Sequence, residues 1–345
     1  MLMERLKRAR YGALLLGLLL VPLLLIASCS NEPKQVIKFA DNQAGGALHL
    51  ANGTARFILE NGYDYPTENI SMTTPVFQAT LATGDVHIMM EGWQQNMPEW
   101  YQTELAAGRI VNLGESYEGG PQFFVIPTWV HEQYGINTVE DILANWELFQ
   151  DPEDSSKGAF YNCIIGWQCA EINTVKLQAY GLADTFNNIS PGSGAALKAS
   201  LVGQQIKGEP VFGYYWAPTD VMGQYDWHVL EEPAYTAACW AIVTAAAQDP
   251  TLRPVDAACA YETLPLDKLA WGGLEDEAPE VVALIGNMHM GLQLISNTLA
   301  WAAENEVEDL MVEGALHYLK TNTDLVKTWM PAKNWEKVEA ALEGK

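Results

Sequence analysis

Hydrophobic positions near the start of the chain body form two repeats of one pattern. Residues 36–40, which are apolar except for Lys38, predict a strand, and residues 48–59 carry apolar side chains at helical spacing until Asn61-Gly62 ends the pattern. A second unit follows, with a predicted helix over 74–83 and a predicted strand over 86–90. Strands that alternate with helices predict an α/β domain with a largely parallel sheet.

The pattern changes at Gly119-Gly120-Pro121, just before an apolar run over 123–127 that ends at a proline. Thr138 is placed to cap a helix with Glu140 and Asp141 in its first turn, and residues 210–216 carry a strand signal. We read this part of the chain as an inserted second domain. The predicted limits are 36–125 together with 235–345 for a discontinuous domain I, and 126–234 for domain II.

Long helical patterns dominate the remainder of the chain, and Pro265, Gly272-Gly273 and Pro331 interrupt them. The predicted helical stretches are 257–263, 280–295, 307–322 and 334–342. A helix is also expected from Ala195, after the turn that contains Ser193.

Residues 1–28 have the pattern of a lipoprotein signal peptide. Four basic residues precede an apolar stretch over 14–26, and small residues follow it before Cys29. The segment around Cys29 resembles a bacterial lipobox, in which the cysteine is lipidated and becomes the mature N-terminus. Residues 29–35 would then be a polar tether. An uncleaved anchor helix is the alternative, and both place the chain body outside the cytoplasm.

The net charge of the chain argues against a nucleic-acid partner. The chain has 345 residues, with 43 acidic residues against 19 basic ones and a net charge of −24. Removing residues 1–28 takes away four bases and one acid, which leaves −27. Nucleic-acid binders need a basic surface to displace counterions, so we expect no nucleic-acid partner. The 49% apolar content is enough for a large core, and the length suggests two domains.

No enzyme motif stands out in the chain. The sequence lacks G-x-S-x-G, H-E-x-x-H, a Walker loop and G-x-G-x-x-G, and its six histidines lack metal-ligand spacing. We therefore expect no catalysis, no metal and no cofactor. An exported lipid-anchored hydrolase remains an alternative hypothesis.

The cysteines fit an oxidising compartment. Apart from Cys29 there are four, which allow three pairings, and proximity in sequence favours Cys163 with Cys169 and Cys239 with Cys259. A zinc site is the competing interpretation, although the spacing lacks a C-x-x-C pair.

Three of the twelve tryptophans are set apart by their neighbours. Trp93 follows a predicted strand, Trp167 lies inside the Cys163 to Cys169 loop, and Trp216 ends a predicted strand. In open α/β sheets ligands bind beyond the carboxyl ends of strands. Indole faces that converge there would hold a quaternary ammonium, which has no N–H to donate. The alternative is that these rings pack in a core.

Several sequence segments carry a family resemblance that covers most of the chain from about residue 36. They are LATGDV at 81–86 leading into EGW at 91–93, CIIGWQC at 163–169, AYGL at 179–182, GSGAAL at 192–197 and EPVFGYYWAP at 209–218. The chain resembles the substrate-binding proteins of ABC importers for glycine betaine, proline betaine and choline. The resemblance implies a bilobed α/β fold of the periplasmic-binding-protein type, with the ligand in the cleft between two hinged domains.

The resemblance also implies roles for individual residues. The trimethylammonium group would lie among Trp93, Trp167 and Trp216, and the carboxylate would meet Asn96 and the backbone N–H groups of Gln168 and Cys169. Two positions depart from the family pattern. Met97 stands where some relatives have a histidine, and Gln168 stands where relatives tend to have glycine. Both departures fall at positions that the resemblance assigns to carboxylate recognition.

The function expected from the sequence is that of a monomeric, lipid-anchored receptor that captures glycine betaine or a related quaternary ammonium solute for an ABC permease. Choline and carnitine are alternatives in the same class. A polyamine or an amino acid would instead need an acidic side chain in the cleft, and Glu91 or Asp220 could supply it.

Overall fold

The structure, a computed structural model, describes residues 34–345. The strands are β1 (Ile37–Asp41), β2 (Thr67–Ser71), β3 (Ile88–Gly92), β4 (Ile110–Tyr117), β5 (Gln122–Pro127), β6 (Gly158–Tyr161), β7 (Phe186–Ile189), β8 (Phe212–Trp216), β9 (Trp227–Val229) and β10 (Leu266–Trp271). The α-helices are α1 (Gly46–Gly62), α2 (Thr74–Thr83), α3 (Pro98–Ala106), α4 (Thr128–Tyr134), α5 (Val139–Ala144), α6 (Gln168–Ala179), α7 (Gly194–Lys207), α8 (Asp220–Gln224), α9 (Ala237–Gln248), α10 (Leu274–Glu277), α11 (Pro279–Asn287), α12 (Leu292–Glu304), α13 (Ala315–Thr321), α14 (Thr323–Val326) and α15 (Ala332–Glu343).

The strands form two five-stranded sheets with the same pattern of strand directions. The first has the order β2-β1-β3-β10-β4 and the second the order β7-β6-β8-β5-β9. In the first sheet β1 runs parallel to β2 and β3, and β10 runs antiparallel to both of its neighbours. In the second sheet β6 runs parallel to β7 and β8, and β5 runs antiparallel to β8 and β9. Each sheet therefore has one reversed strand, and the fold is the predicted two-sheet α/β arrangement.

Each reversed strand comes directly after a crossing between the two sheets. The chain crosses first over 118–121, between β4 and β5, and returns just before β10. The two crossing segments touch, because the backbone N–H of Gly120 donates to the carbonyl of Leu264 at 2.8 Å. Two adjacent crossing segments are the arrangement that permits hinge motion between domains.

Two hydrophobic cores accompany the two sheets, and Ala44 and Trp93 pack against both. The second core also includes Trp240, Cys259 and Tyr261. The domain limits stay a prediction, and this packing favours moving the second limit from residue 235 to about residue 263.

Local signals placed several helices correctly. The structure has α2 at the residues predicted for it, and α5 begins after Thr138, whose side chain accepts the backbone N–H of Asp141 in a capping box. Ser193 caps α7 by accepting the N–H of Ala196 at 3.1 Å. The backbone N–H groups of Asn137 and Thr138 bond the carboxylate of Asp141 and lower its pKa.

Two expectations for the C-terminal half are wrong. Residues 257–263 form no helix, and the helix predicted over 280–295 is two helices, α11 and α12. Gly291 at φ +74° separates them, since this backbone conformation favours glycine. The strand β10 was not predicted at all. It is buried along nearly its whole length and includes Asp267 and Lys268, so its sequence does not alternate between apolar and polar residues.

The expected signal peptide, the lipidation site Cys29 and most of the tether lie outside the described residues. Among residues 34–345, the structure contains no helix with the length and apolar character needed to span a membrane.

Candidate functional site

The candidate site is a cleft between the two sheets, and all six residues predicted to bind ligand line it. The empty space among the lining residues is about 500 Å³, with open solvent included. The first sheet contributes residues within and after β3 and residues after β1. The second contributes the start of β5, the end of β8 and the start of α6. This is the position at which open α/β sheets bind ligands.

Trp93 directly follows β3 and is fixed by a hydrogen bond and by close packing. Its indole N–H donates to Oε2 of Glu91 at 3.1 Å. Gly120, in the first crossing segment, lies under the ring, and a Cβ at that position would be 2.9 Å from Cζ3 of Trp93. A glycine is therefore needed at residue 120 for Trp93 to occupy its place between the two cores.

Trp167 and Trp216 lie against each other on the opposite wall. Their ring centroids are 5.3 Å apart at an interplanar angle of 73°, an edge-to-face contact. Tyr215 stacks on Trp216 with centroids 4.6 Å apart. The indole N–H of Trp167 donates to the carbonyl of Asn42 at 2.5 Å, a bond that joins the second core to the segment after β1. The aromatic surfaces are thus held from both sides of the cleft.

Asn96, expected to face a ligand carboxylate, is hydrogen-bonded to the side-chain amide of Gln122. It exchanges two hydrogen bonds with Gln122, each of 2.9 Å, and the hydroxyl of Tyr214 donates to Oε1 of Gln122 at 2.8 Å. Because Asn96 follows β3 and Gln122 opens β5, the amide pair connects the two sheets. Its first role in this structure is to join the walls of the cleft.

Gln168 and Cys169 are the first two residues of α6, and their backbone lies at the cleft wall. Trp167, which precedes the helix, provides no side-chain cap. Among residues 34–345, no acceptor receives the backbone N–H of Gln168 or Cys169. Free N–H groups at the N-terminus of a helix of 12 residues can bind an anionic group.

The structure places the four cysteines in the two expected pairs at disulfide spacing. The Cα–Cα distance is 5.8 Å for Cys163 and Cys169, and 6.4 Å for Cys239 and Cys259. The first pair encloses Trp167. Among the described residues no group of histidine, cysteine and acidic side chains is arranged to hold a metal ion.

Glu91 is the acidic side chain of this cleft. It is 2% exposed, and its carboxylate accepts hydrogen bonds from Trp93 and from the hydroxyl of Tyr117. Burial raises the pKa of Glu91 above its usual range, and the two hydrogen bonds oppose that shift only in part. Asp220, the other acid considered from the sequence, lies in a neighbouring cleft and pairs with Lys198.

Sequence reasoning missed Gln122, Tyr214, Asn42 and Phe77, all of which line the cleft. Gln122 and Tyr214 lie in strands that read as buried apolar runs, and Asn42 contacts Trp167 through its backbone carbonyl. The polar residue at the start of the apolar run over 123–127 was the one available signal for Gln122.

Comparison with known proteins agrees with this architecture. A family model described as the substrate-binding domain of an ABC-type glycine betaine transport system matches residues 36–320. The glycine betaine-binding periplasmic protein OusX of Dickeya dadantii is 29% identical over 143 residues, which cover 40% of this chain and 42% of that protein. The glycine betaine/proline betaine-binding periplasmic protein of Escherichia coli is 27% identical over a segment of the same length. These matches span less than half the length of the curated relatives.

Two solved structures share the fold over nearly their whole length. A glycine betaine and proline binding protein of Borrelia burgdorferi is 18% identical with a TM-score of 0.67, covering 88% of this chain and 99% of its own. A choline-binding protein of an ABC transporter, solved with choline, is 18% identical with a TM-score of 0.68, covering 89% and 98%. With the family model matched over most of the chain, this protein belongs to the family of substrate-binding domains of ABC-type glycine betaine transport systems.

Proposed function

We propose that this protein captures a quaternary ammonium solute of the betaine and choline class and delivers it to an ABC permease. The observation that carries the proposal is the meeting of Trp93, Trp167 and Trp216 at one cleft. A quaternary ammonium group cannot be held by hydrogen bonds, and each indole face contributes about 0.5–2 kcal/mol to its binding, depending on desolvation.

The two-sheet architecture supports the delivery of the solute to a permease. The ligand would contact residues of both walls, so its binding favours the closed arrangement in which those walls meet. The paired crossing segments at Gly120 and Leu264 are the expected hinge. The permease would then distinguish the loaded receptor from the empty one by its closed form, with no chemical step in the receptor.

We further propose that the mature protein is extracytoplasmic and lipid-anchored at Cys29, after removal of residues 1–28. The two cysteine pairs at disulfide spacing support this compartment, because disulfides persist in oxidising spaces. An oxidised Cys163 to Cys169 loop would restrict the backbone that carries Trp167 and the free N–H groups of α6.

Calorimetric titration with glycine betaine, choline, carnitine and proline tests the function. We expect one or more of the three alkylammonium solutes to bind at micromolar concentration or below, and proline, which has no trimethylammonium group, to bind far more weakly. If every alkylammonium solute binds only in the millimolar range, the proposal fails.

A matched tryptophan pair tests the site itself. Trp216→Ala removes one cleft face, and we expect it to weaken alkylammonium affinity by about tenfold or more, since it loses cation–π and apolar contact together. Trp335→Ala, on α15 and outside the cleft lining, is the control. It should leave the affinity within about twofold of the native value. Equal losses in both variants would contradict a tryptophan site.

A further inference from the structure

Resting on the proposed function, we infer that Glu91 makes this cleft select alkylammonium solutes of net positive charge, such as the choline type, over zwitterions that carry a carboxylate. The family assignment leaves this choice open. Three features favour a cationic solute: the position of Glu91 at the cleft wall, the charges around it and the partners already bonded to the neighbouring amides.

Glu91 is built into the wall by hydrogen bonds that leave it facing the cleft. It lies on β3 next to the strand end, with Trp93 bonded to one carboxylate oxygen and Tyr117 of β4 to the other. A carboxylate has about four lone-pair positions, so two remain after these bonds. The same bond to Trp93 fixes an indole face beside the acid. A cation in the cleft would therefore meet the ring and the carboxylate together.

No basic side chain in the cleft balances this acid. Among residues 34–345, no lysine or arginine lines the cleft, and no ion pair includes Glu91. The titratable groups that face Glu91 are Tyr117 on β4 and His49 on α1, and His49 acts on it only at long range. The carboxylate of Asp267, on the adjacent β10, accepts hydrogen bonds from the side chains of Gln94, Tyr101 and Asn112. A buried acid without a cationic partner is a site that a cationic ligand would complete.

The donors that could bind a ligand carboxylate in this cleft carry no positive charge. Asn96 and Gln122 already bond each other, and Met97 cannot donate. The remaining donors are neutral: the backbone N–H groups of Gln168 and Cys169, the side-chain amide of Gln168 and the hydroxyl of Thr74. A carboxylate bound by them would share the cleft with ionised Glu91. Two negative charges in the same buried cleft repel each other. Choline carries the same trimethylammonium head without that repulsion.

The charge of Glu91 also gives the selectivity a pH dependence. Burial raises the pKa of Glu91, and a bound cation favours its ionised form. Binding of choline should therefore release protons near and below that pKa, and choline affinity should rise with pH through it. A zwitterion of net zero charge should show a flatter profile.

The test is calorimetric titration of choline and glycine betaine into the native protein, Glu91→Gln and Glu99→Gln at pH 7.5. Glu91→Gln keeps the shape and removes the charge. Glu99 is an exposed acid on α3, so Glu99→Gln controls for the change in net charge. We expect the native protein to prefer choline by about tenfold or more, a preference that one nearby charge can supply. In Glu91→Gln choline affinity should fall by about tenfold while betaine affinity changes by less than about threefold, and Glu99→Gln should match the native protein.

The outcomes separate this inference from the proposed function. If the native protein prefers glycine betaine, or if Glu91→Gln weakens both ligands equally, the inference is wrong while the proposed function stands. If the native protein binds neither solute, the proposed function itself fails. Should Glu91→Gln not fold, Tyr117→Phe replaces it. That variant removes a donor to the ionised acid, so the pH midpoint of choline binding should move upward, and an unchanged midpoint would overturn the inference.

Discussion

At the residue scale, the buried ion pair of Lys176 and Glu232 contrasts with the acid Glu91, which is unpaired among residues 34–345. Nζ of Lys176 on α6 lies 2.7 Å from Oε2 of Glu232, with the two side chains 0% and 3% exposed. The same ammonium lies 4.6 Å from the ring centroid of Phe124 and 4.2 Å from that of Tyr261. Burial lowers the pKa of Lys176, and Glu232 opposes the shift. Here the charge is paired inside the fold, whereas Glu91 is not.

Removing one partner of this buried pair should be costly. We expect Lys176→Met to lower the free energy of unfolding by about 3 kcal/mol, because Glu232 is left buried without its cation. Urea unfolding followed by tryptophan fluorescence measures the loss. The double variant Lys176→Met with Glu232→Gln should recover much of it, since no buried charge remains. A single variant as stable as the native protein would show that the pair contributes nothing.

At the element scale, the crossing segments connect the fold to the site. Gly120 bonds the returning segment at Leu264 and lies beneath Trp93, so one residue takes part in both the expected hinge and the aromatic wall. This explains why a glycine occupies a buried position in a segment that the sequence marks only as a change of pattern. Strand β10 starts just after the return crossing, and its first residue, Leu266, packs against Gly120.

A matched pair of glycines tests this junction. Gly120→Ala should lower the free energy of unfolding by about 1–3 kcal/mol, because its methyl group meets both Leu266 and Trp93. It should also weaken alkylammonium binding through displacement of Trp93. Gly203→Ala lies within α7 where a Cβ meets nothing within 4 Å, so it should raise stability by up to about 1 kcal/mol and leave binding unchanged. Thermal unfolding and calorimetry measure the two effects, and similar behaviour of both variants would count against the junction.

At the scale of the whole molecule, the receptor combines a ligand-binding body with a proposed anchor. The family match begins at residue 36, directly after the predicted tether. If the tether only holds the body at the membrane, then ligand affinity and membrane attachment are independent properties. The charge of −27 predicted for the mature chain would keep such a body soluble at the membrane surface.

The anchor makes a separate prediction. Cell fractionation should find the native protein with the membrane, and Cys29→Ser should release it from that fraction or leave its signal peptide uncleaved, because the thiol that would carry lipid is gone. Ser30→Ala, one residue further on, should stay membrane-bound. The purified Cys29→Ser body should bind its solute with native affinity. Unchanged membrane attachment in Cys29→Ser would favour the uncleaved anchor helix.

Much of this protein follows from local sequence. Caps such as Thr138 and Ser193 satisfy backbone groups within one turn, so the helices that they start could be predicted from neighbouring residues. Residues that follow predicted strands could be assigned to the cleft for a similar reason. Trp93 and Trp216 stand at strand ends, and the ends of strands in an α/β sheet meet at one edge.

Features that depend on contacts between residues distant in sequence became visible in the folded structure. Strand β10 carries Asp267 and Lys268 at buried positions whose partners come from other segments, so no local periodicity marks it. The pairing of Asn96 with Gln122 likewise exists only once the two walls meet, and that Glu91 has no lysine or arginine beside it depends on which of the described residues line the folded cleft. The family, the two-domain α/β class and the three indoles of the cleft could be inferred from sequence motifs alone. The charge that the ligand would meet depends on which side chains are buried and already paired, and burial and pairing are properties of the folded chain.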